Sequence, residues 1–218
     1  WYADGQGLTE NNGEAVSLEA LAEKLKSENA ELETVSLDGK VIMAGGIDAH
    51  VHFREPGMTA KADMSSESRA ALLGGITSFI DMPNTNPPAT NIDRIREKAA
   101  LADGRSYANW GFHIGADNEN PDAIASMLKV NAAPREFAAV KVFMGSSTGN
   151  MLVDHGEALE KLFGIENARI LIHSEDEATI KSNLEKAVAE FGDDIPMKEH
   201  ENIRSRQACI KSTVKALE

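Results

Sequence analysis

Five short apolar runs recur along the chain, near residues 42, 76, 108, 138 and 169, and helical patterns fill the gaps between them. Alternation of this kind, with a period of about 30 residues, signals βαβ units, in which successive strands lie parallel and crossover helices cover the sheet. The strands are expected in VIMAGGI before His50, then over Ile76–Met82, Ala108–Ile114, Ala138–Met144 and Arg169–Glu175. The helices are expected from Asp63 to Leu73 with a Gly74-Gly75 stop, from Asn91 to about Leu101, from Pro121 to about Val130 and from Gly156 to Phe163. Two more, Asp176–Phe191 and Ile203–Leu217, end the chain. Upstream, Trp1–Gly13 is polar and Gly-rich and reads as a loop or frayed end. Ser17–Lys26 has helical spacing with Ser17 as N-cap, and TVSLDGKVIMAGG reads as a hairpin turning at Asp38-Gly39.

Composition narrows the classes of function. A chain of 218 residues, 42% of them hydrophobic, can bury a sizeable core as one domain or part of a larger one. The formal charge of −13 argues against nucleic acid and against an anionic membrane surface as partners. An anionic small molecule would need locally focused positive charge, which Arg54 and metal ions could provide. Cys209 is the only cysteine, so no internal disulfide can form, which fits a cytoplasmic location. No apolar run approaches the ~20 residues of a membrane span, and no charged-then-apolar signal segment is expected among these residues. The chain opens on Trp1 rather than Met, so the natural N-terminus is expected to lie elsewhere.

The chemistry concentrates in GIDAHVHFREPG, Gly46 to Gly57. His50 and His52 are two apart, a spacing that puts both imidazoles on one face of a strand. Two neutral imidazoles make half of a zinc site, although an ordinary histidine pair at a strand end has the same spacing. Asp48 and Arg54 extend the same alternation, and four polar groups on one face of a buried strand are costly unless they serve a site. Lys141 stands inside the apolar run AAVKVFM, where an ammonium group needs a partner or loses its proton. His173 closes the fifth run. Arg54 could instead pair with Glu55, Asn84 could be a turn residue beside Pro83, and Lys141 could reach a carboxylate. His113, His155 and His200 read as structural or exposed.

GIDAHVHFREPG closely resembles the opening signature of dihydroorotases in the amidohydrolase superfamily. KVFM resembles the strand-four segment of dihydroorotases and hydantoinases, ILIHSED matches their fifth-strand histidine segment, and FREPG and MPNTNP match dihydroorotase substrate loops. The resemblance implies an α/β fold, the (β/α)8 TIM barrel, with about the first five βα units in this chain. Residues 1–40 would then be an N-terminal segment, part of a small β-domain, and residues 41–218 the N-terminal part of the barrel. It implies two Zn2+ ions held by His50, His52, Lys141 and His173, bridged by carbamylated Lys141. Arg54 and Asn84 would hold the substrate carboxylate. It also implies reversible cyclisation of N-carbamoyl-L-aspartate to L-dihydroorotate in pyrimidine biosynthesis, with a homodimer and an aspartate carbamoyltransferase partner as expected associations. The family's strand-six histidine and its general-base aspartate from strand eight have no counterpart before residue 218. The neighbouring readings are a hydantoinase or allantoinase, and a non-catalytic dihydroorotase-like scaffold.

Overall fold

The computed structural model describes residues 2–3, 8–9, 15–16, 18–28, 39–130, 136–145 and 151–218. They divide into two units, Trp1–Ala44 and Gly45–Glu218. In the first unit, β1 (Tyr2–Ala3), β2 (Leu8–Thr9) and β3 (Ala15–Val16) form an antiparallel sheet in sequence order, followed by helix α1 (Leu18–Ser27). The loop expected over the first thirteen residues is thus corrected: strands of two residues are too short for an apolar–polar alternation to show in a polar stretch. The cap expected at Ser17, and residues 34–38 of the expected hairpin, lie outside the described residues. Gly39, on the far side of that turn, has φ +83.

The second unit alternates strand and helix. Its strands are β4 (Gly46–Val51), β5 (Ile76–Asp81), β6 (Asn109–Phe112), β7 (Ile114–Gly115), β8 (Val140–Phe143) and β9 (Ile170–His173). Between them run α2 (Met64–Leu73), α3 (Ile92–Ala102), α4 (Pro121–Val130) and α5 (Gly156–Phe163). The chain continues through α6 (Glu177–Phe191), a single 3-10 turn (Met197–Glu199), α7 (His200–Ile203) and α8 (Arg206–Leu217). All pairings in this unit are parallel, in two sheets ordered β4-β5-β6 and β7-β8-β9. Parallel strands joined by helices are the arrangement that the sequence rhythm requires.

Three boundaries differ from expectation for physical reasons. The apolar run Val41–Met43 is not strand, and Val41, Ile42 and Met43 are 89%, 71% and 84% exposed. A parallel ladder needs a partner, and β5 begins only at Ile76, opposite Gly46. β4 is also an edge strand with an exposed middle, not the buried strand expected. The third strand divides at His113, where the chain changes neighbours: His113 N–H donates to Asp81 O at 3.0 Å and Ile114 N–H to Ala139 O at 3.0 Å. The last helix divides before Ser205, whose hydroxyl caps α8 by accepting from Ala208 N–H.

Capping explains the other helix starts. Asp63 Oδ1 accepts the N–H groups of Ser65 and Ser66, both at 2.9 Å, at the head of α2. Asn91 and Asp176 do the same for α3 and α6. The core lies between the strands and these helices: Phe53 and Phe79, with ring centroids 4.4 Å apart, join Phe112, Ile114, Val140, Val142, Ile124 and Leu162.

Candidate metal centre

His50, His52 and His173 sit at the C-terminal ends of strands, where irregular backbone is free to carry chemistry, whereas Lys141 lies within one. His50 is the penultimate residue of β4 and His52 follows the strand. Their ring centroids lie 5.5 Å apart. Asp48, also on β4, does not face a metal ligand role by its contacts; its Oδ1 accepts the His50 backbone N–H at 3.0 Å and holds the strand end. His52 Nδ1 lies 2.7 Å from Asn84 Oδ1. An amide oxygen can only accept, so Nδ1 carries the hydrogen and Nε2 keeps a lone pair. Burial pushes both imidazoles below their ordinary pKa; Lys141 adds to this at His50, while the Asn84 hydrogen bond opposes it at His52. Both rings are therefore biased toward the neutral, metal-binding form.

Lys141, the second residue of β8, is 1% exposed. Its Nζ lies 4.8 Å from the Phe143 ring centroid, and among the described residues no carboxylate is within ion-pair distance of it. Burial lowers its pKa. His173 ends β9, across the ladder from Phe143, and its Nε2 meets Glu175 Oε2 at 2.5 Å. Charge on Lys141 or on His173 lowers the His50 pKa, so the three side chains lie within electrostatic reach of one another. Among the described residues, no three His, Cys, Asp or Glu side chains form a ready cage for a metal ion. The donor chemistry nevertheless fits one: lone pairs on the histidines and an amine that is easily deprotonated.

Arg54 is held in an unusual backbone state, φ +63, and its Nη1 is buried with no hydrogen-bond partner. Its charge helps to depress the His52 pKa, so the guanidinium lies beside the histidine pair. Glu55 does not pair with it. Glu55 Oε1 accepts from Arg105 Nη1 at 2.8 Å and Oε2 from Met64 N–H at 2.9 Å. The preceding residue is anchored too: Phe53 N–H donates to Asp81 Oδ1 at 2.8 Å, and Asp81 Oδ2 meets the buried Lys98 ammonium at 2.5 Å. Asn84 is 3% exposed, and its loop is tied to the Arg54 loop by Asn86 N–H donating to Pro56 O at 3.1 Å.

Two contacts escaped sequence reasoning, the first at a residue whose structural reading its burial supports. His113, read there as structural, is 2% exposed and its Nε2 donates to the Ala49 carbonyl at 2.9 Å, next to His50. Its Nδ1 is buried without a partner. Glu175 is gripped by Arg204 as well as by His173; burial pushes its carboxyl up, but the Arg204 and His173 hydrogen bonds outweigh that and hold it low. Only the acidic residues following His173 in HSED hinted at the second. A cavity of about 930 Å³ lies elsewhere, against Trp110, Ala138 and Arg169. Those residues lie at or just before the starts of β6, β8 and β9, the opposite ends from the histidines.

Comparisons with known proteins bear on the fold and the family. The dihydroorotase of Halobacterium salinarum is 35% identical over 166 residues, covering 70% of this chain and 37% of that protein. The dihydroorotase of Methanosarcina acetivorans is 34% identical, covering 84% of this chain and 37% of that protein. The chain thus spans a little over a third of the length of these curated relatives. Among solved structures, the L-hydantoinase (dihydropyrimidinase) of Arthrobacter aurescens superposes with a TM-score of 0.70 at 26% identity, over 86% of this chain and 43% of that one. A D-hydantoinase from Bacillus sp. AR9 gives a TM-score of 0.65 at 26% identity, over 80% of this chain and 38% of that one. These likenesses support the amidohydrolase fold, in a family generally dependent on metal. The sequence profile of the amidohydrolase family matches residues 41–202, the stretch that carries every strand of the parallel sheets, and the chain belongs to that family.

Proposed function

We propose that this chain is the part of a dihydroorotase that holds the metals and anchors the substrate, within the reversible cyclisation of N-carbamoyl-L-aspartate to L-dihydroorotate. The observation that carries this reading is the buried, unpartnered Nη1 of Arg54 beside His52. A guanidinium nitrogen withdrawn from water without an acceptor favours an anionic ligand, and a carboxylate matches its planar fork. Dihydroorotate and carbamoyl aspartate carry such a carboxylate. The curated relatives named dihydroorotase support the same choice.

In this reading the fold is a (β/α)8 barrel to which this chain contributes about five βα units. His50 and His52 would hold one Zn2+ and His173 another, and Lys141 as a carbamate would add a carboxylate-like donor. The amine of an unprotonated lysine adds to CO2, forming an N–C bond and releasing a proton to solvent; the burial of Lys141 favours that unprotonated form. When bound, the metal pair supplies polarisation of a carbonyl and activation of water. Asn84 orients His52 through Oδ1, which leaves its amide N–H groups for the substrate. Arg54 fixes the end of the substrate that does not react, so that the ring amide is presented in one orientation. No residue of this chain is assigned the proton-shuttling role. Self-association and an aspartate carbamoyltransferase partner belong to the same reading.

The test is Arg54→Met in the full-length protein. Loss of a charge-assisted contact is worth about 1.5–3 kcal/mol, so binding of dihydroorotate should weaken roughly ten- to a hundredfold while zinc content holds. Equal turnover of dihydroorotate by both forms removes the anchoring role. A second reading, a hydantoinase, is favoured by the likeness to the solved hydantoinases. Preference for hydantoin over dihydroorotate selects it.

A further inference from the structure

The residues after His173 are tied down from two sides. Gly145 follows β8 so closely that a Cβ there would stand 2.7 Å from the Glu175 carbonyl oxygen and 3.0 Å from Glu175 Cβ. From the other side, Ala208 of α8 accepts the Asp176 N–H at 3.0 Å. The Ser174 hydroxyl donates to Ser212 at 3.0 Å and accepts from Thr213 at 3.2 Å. Glu175 therefore starts from a fixed backbone, and its side chain turns back toward His173.

The Glu175 carboxylate is shared between two partners. Oε2 meets both His173 Nε2 and Arg204 Nη2 at 2.5 Å, and Oε1 accepts from Arg204 Nε at 3.1 Å. A two-point fork of arginine on carboxylate fixes the plane of the carboxylate as well as its place. An ionised carboxylate has no hydrogen to give, so His173 Nε2 must carry one. In the neutral ring the lone pair then resides on Nδ1.

We propose that Glu175, clamped by Arg204, is a positioning residue that sets the tautomer of His173 so that Nδ1 is its metal-donating atom. The proposal rests on the metal-centre reading above. It also gives a purpose to the break between α7 and α8. Arg204 falls in that break, with φ −92 and ψ 65, and a continuous helix through it would not allow this backbone. Carboxylate partners of this kind orient metal-binding imidazoles generally and raise their basicity.

Zinc titration of the metal-stripped, full-length protein tests the proposal, with His173→Ala, Glu175→Ala and Glu175→Gln alongside. Glu175→Ala should weaken one zinc by about 10- to 100-fold. Glu175→Gln, whose amide oxygen still accepts from Nε2, should recover most of that loss. Nitrogen-15 NMR of the metal-free wild type should show His173 protonated on Nε2, and Glu175→Ala should show a mixture of tautomers. A general loosening of the fold would not be reversed by Gln. If His173→Ala binds both zinc ions as tightly as wild type, the metal centre is wrong and the role of the clamp falls with it. If His173→Ala loses a zinc while Glu175→Ala does not weaken one, or wild-type His173 is protonated on Nδ1, the centre stands and the clamp is overturned. Should Glu175→Ala fail to fold, the Gln variant and the wild-type tautomer still decide.

Discussion

Gly57 has φ +79, and a Cβ added to it would lie 1.8 Å from the Asn86 carbonyl oxygen. That single position lets the loop carrying Arg54 close onto the loop carrying Asn84. Gly57→Ala should therefore destabilise the protein by at least the roughly 1–3 kcal/mol of a strained backbone, with the clash added. Denaturant unfolding measures it, and an unchanged midpoint would show that the loops can part freely. The motif FREPG was visible in the sequence, but its local wiring was not. Glu55 looked like the natural partner of Arg54 by adjacency, yet it bonds to Arg105 and Met64 from elsewhere in the chain. Asn84 read as a substrate contact, and in the structure its oxygen is already engaged by His52. Contacts of this kind join residues from nine to fifty positions apart, and spacing along a chain carries no record of them.

Elements were more legible where a local signal marks both ends. α4 opens on Pro121, which suits a first helical turn, and α5 closes at Gly164; both helices lie where periodicity places them. The break at His113 was not legible, because a strand that changes neighbours looks in sequence like one that does not. The start of β4 was misplaced because the register with β5, rather than apolar content, decides where pairing begins. Capping also makes an element-scale prediction about pH. Asp176 caps α6 through Thr179 and meets the Lys211 ammonium at 2.8 Å. Burial pushes its carboxyl up, but these hydrogen bonds hold it below the ordinary aspartate range. A folded-state pKa that is depressed contributes stability that is fully present above the unfolded value, about 3.9, and lost as pH falls through the folded one. Asp176→Ala should cost about 0.5–2 kcal/mol at pH 6, and the gap to wild type should narrow by pH 3. Urea midpoints at the two pH values check it; a gap that widens toward acid contradicts the assignment.

In the Gly45–Glu218 unit the edges of the two parallel sheets are β4, β6, β7 and β9, and each has a single strand partner among the described residues. The candidate metal side chains stand at the ends of two of these edge strands, β4 and β9, and within β8. The placement of these side chains on β4, β8 and β9 was legible as a recurrence of metal-type residues on the first, fourth and fifth apolar runs. The exposure of the strands was not, since apolar content alone does not tell a covered strand from an open one. Ile47 on β4 is 70% exposed and Ile172 on β9 is 37% exposed. Unpaired strand edges with apolar side chains template pairing with further strands, and lysine at such positions blocks it. Full burial of one isoleucine side chain is worth about 1.5–3 kcal/mol, so two such contacts, about 3–6 kcal/mol together, correspond to association between roughly millimolar and tens of micromolar concentration. The 218-residue polypeptide expressed by itself should therefore self-associate as its concentration rises. The double variant Ile47→Lys, Ile172→Lys should shift that association to at least tenfold higher concentration while keeping the far-ultraviolet circular dichroism of the wild type. Sedimentation velocity over a concentration series is the measurement. Equal association by both polypeptides would show that the strand edges are not the sticky surface, and a monomeric wild type would show that they are covered in solution.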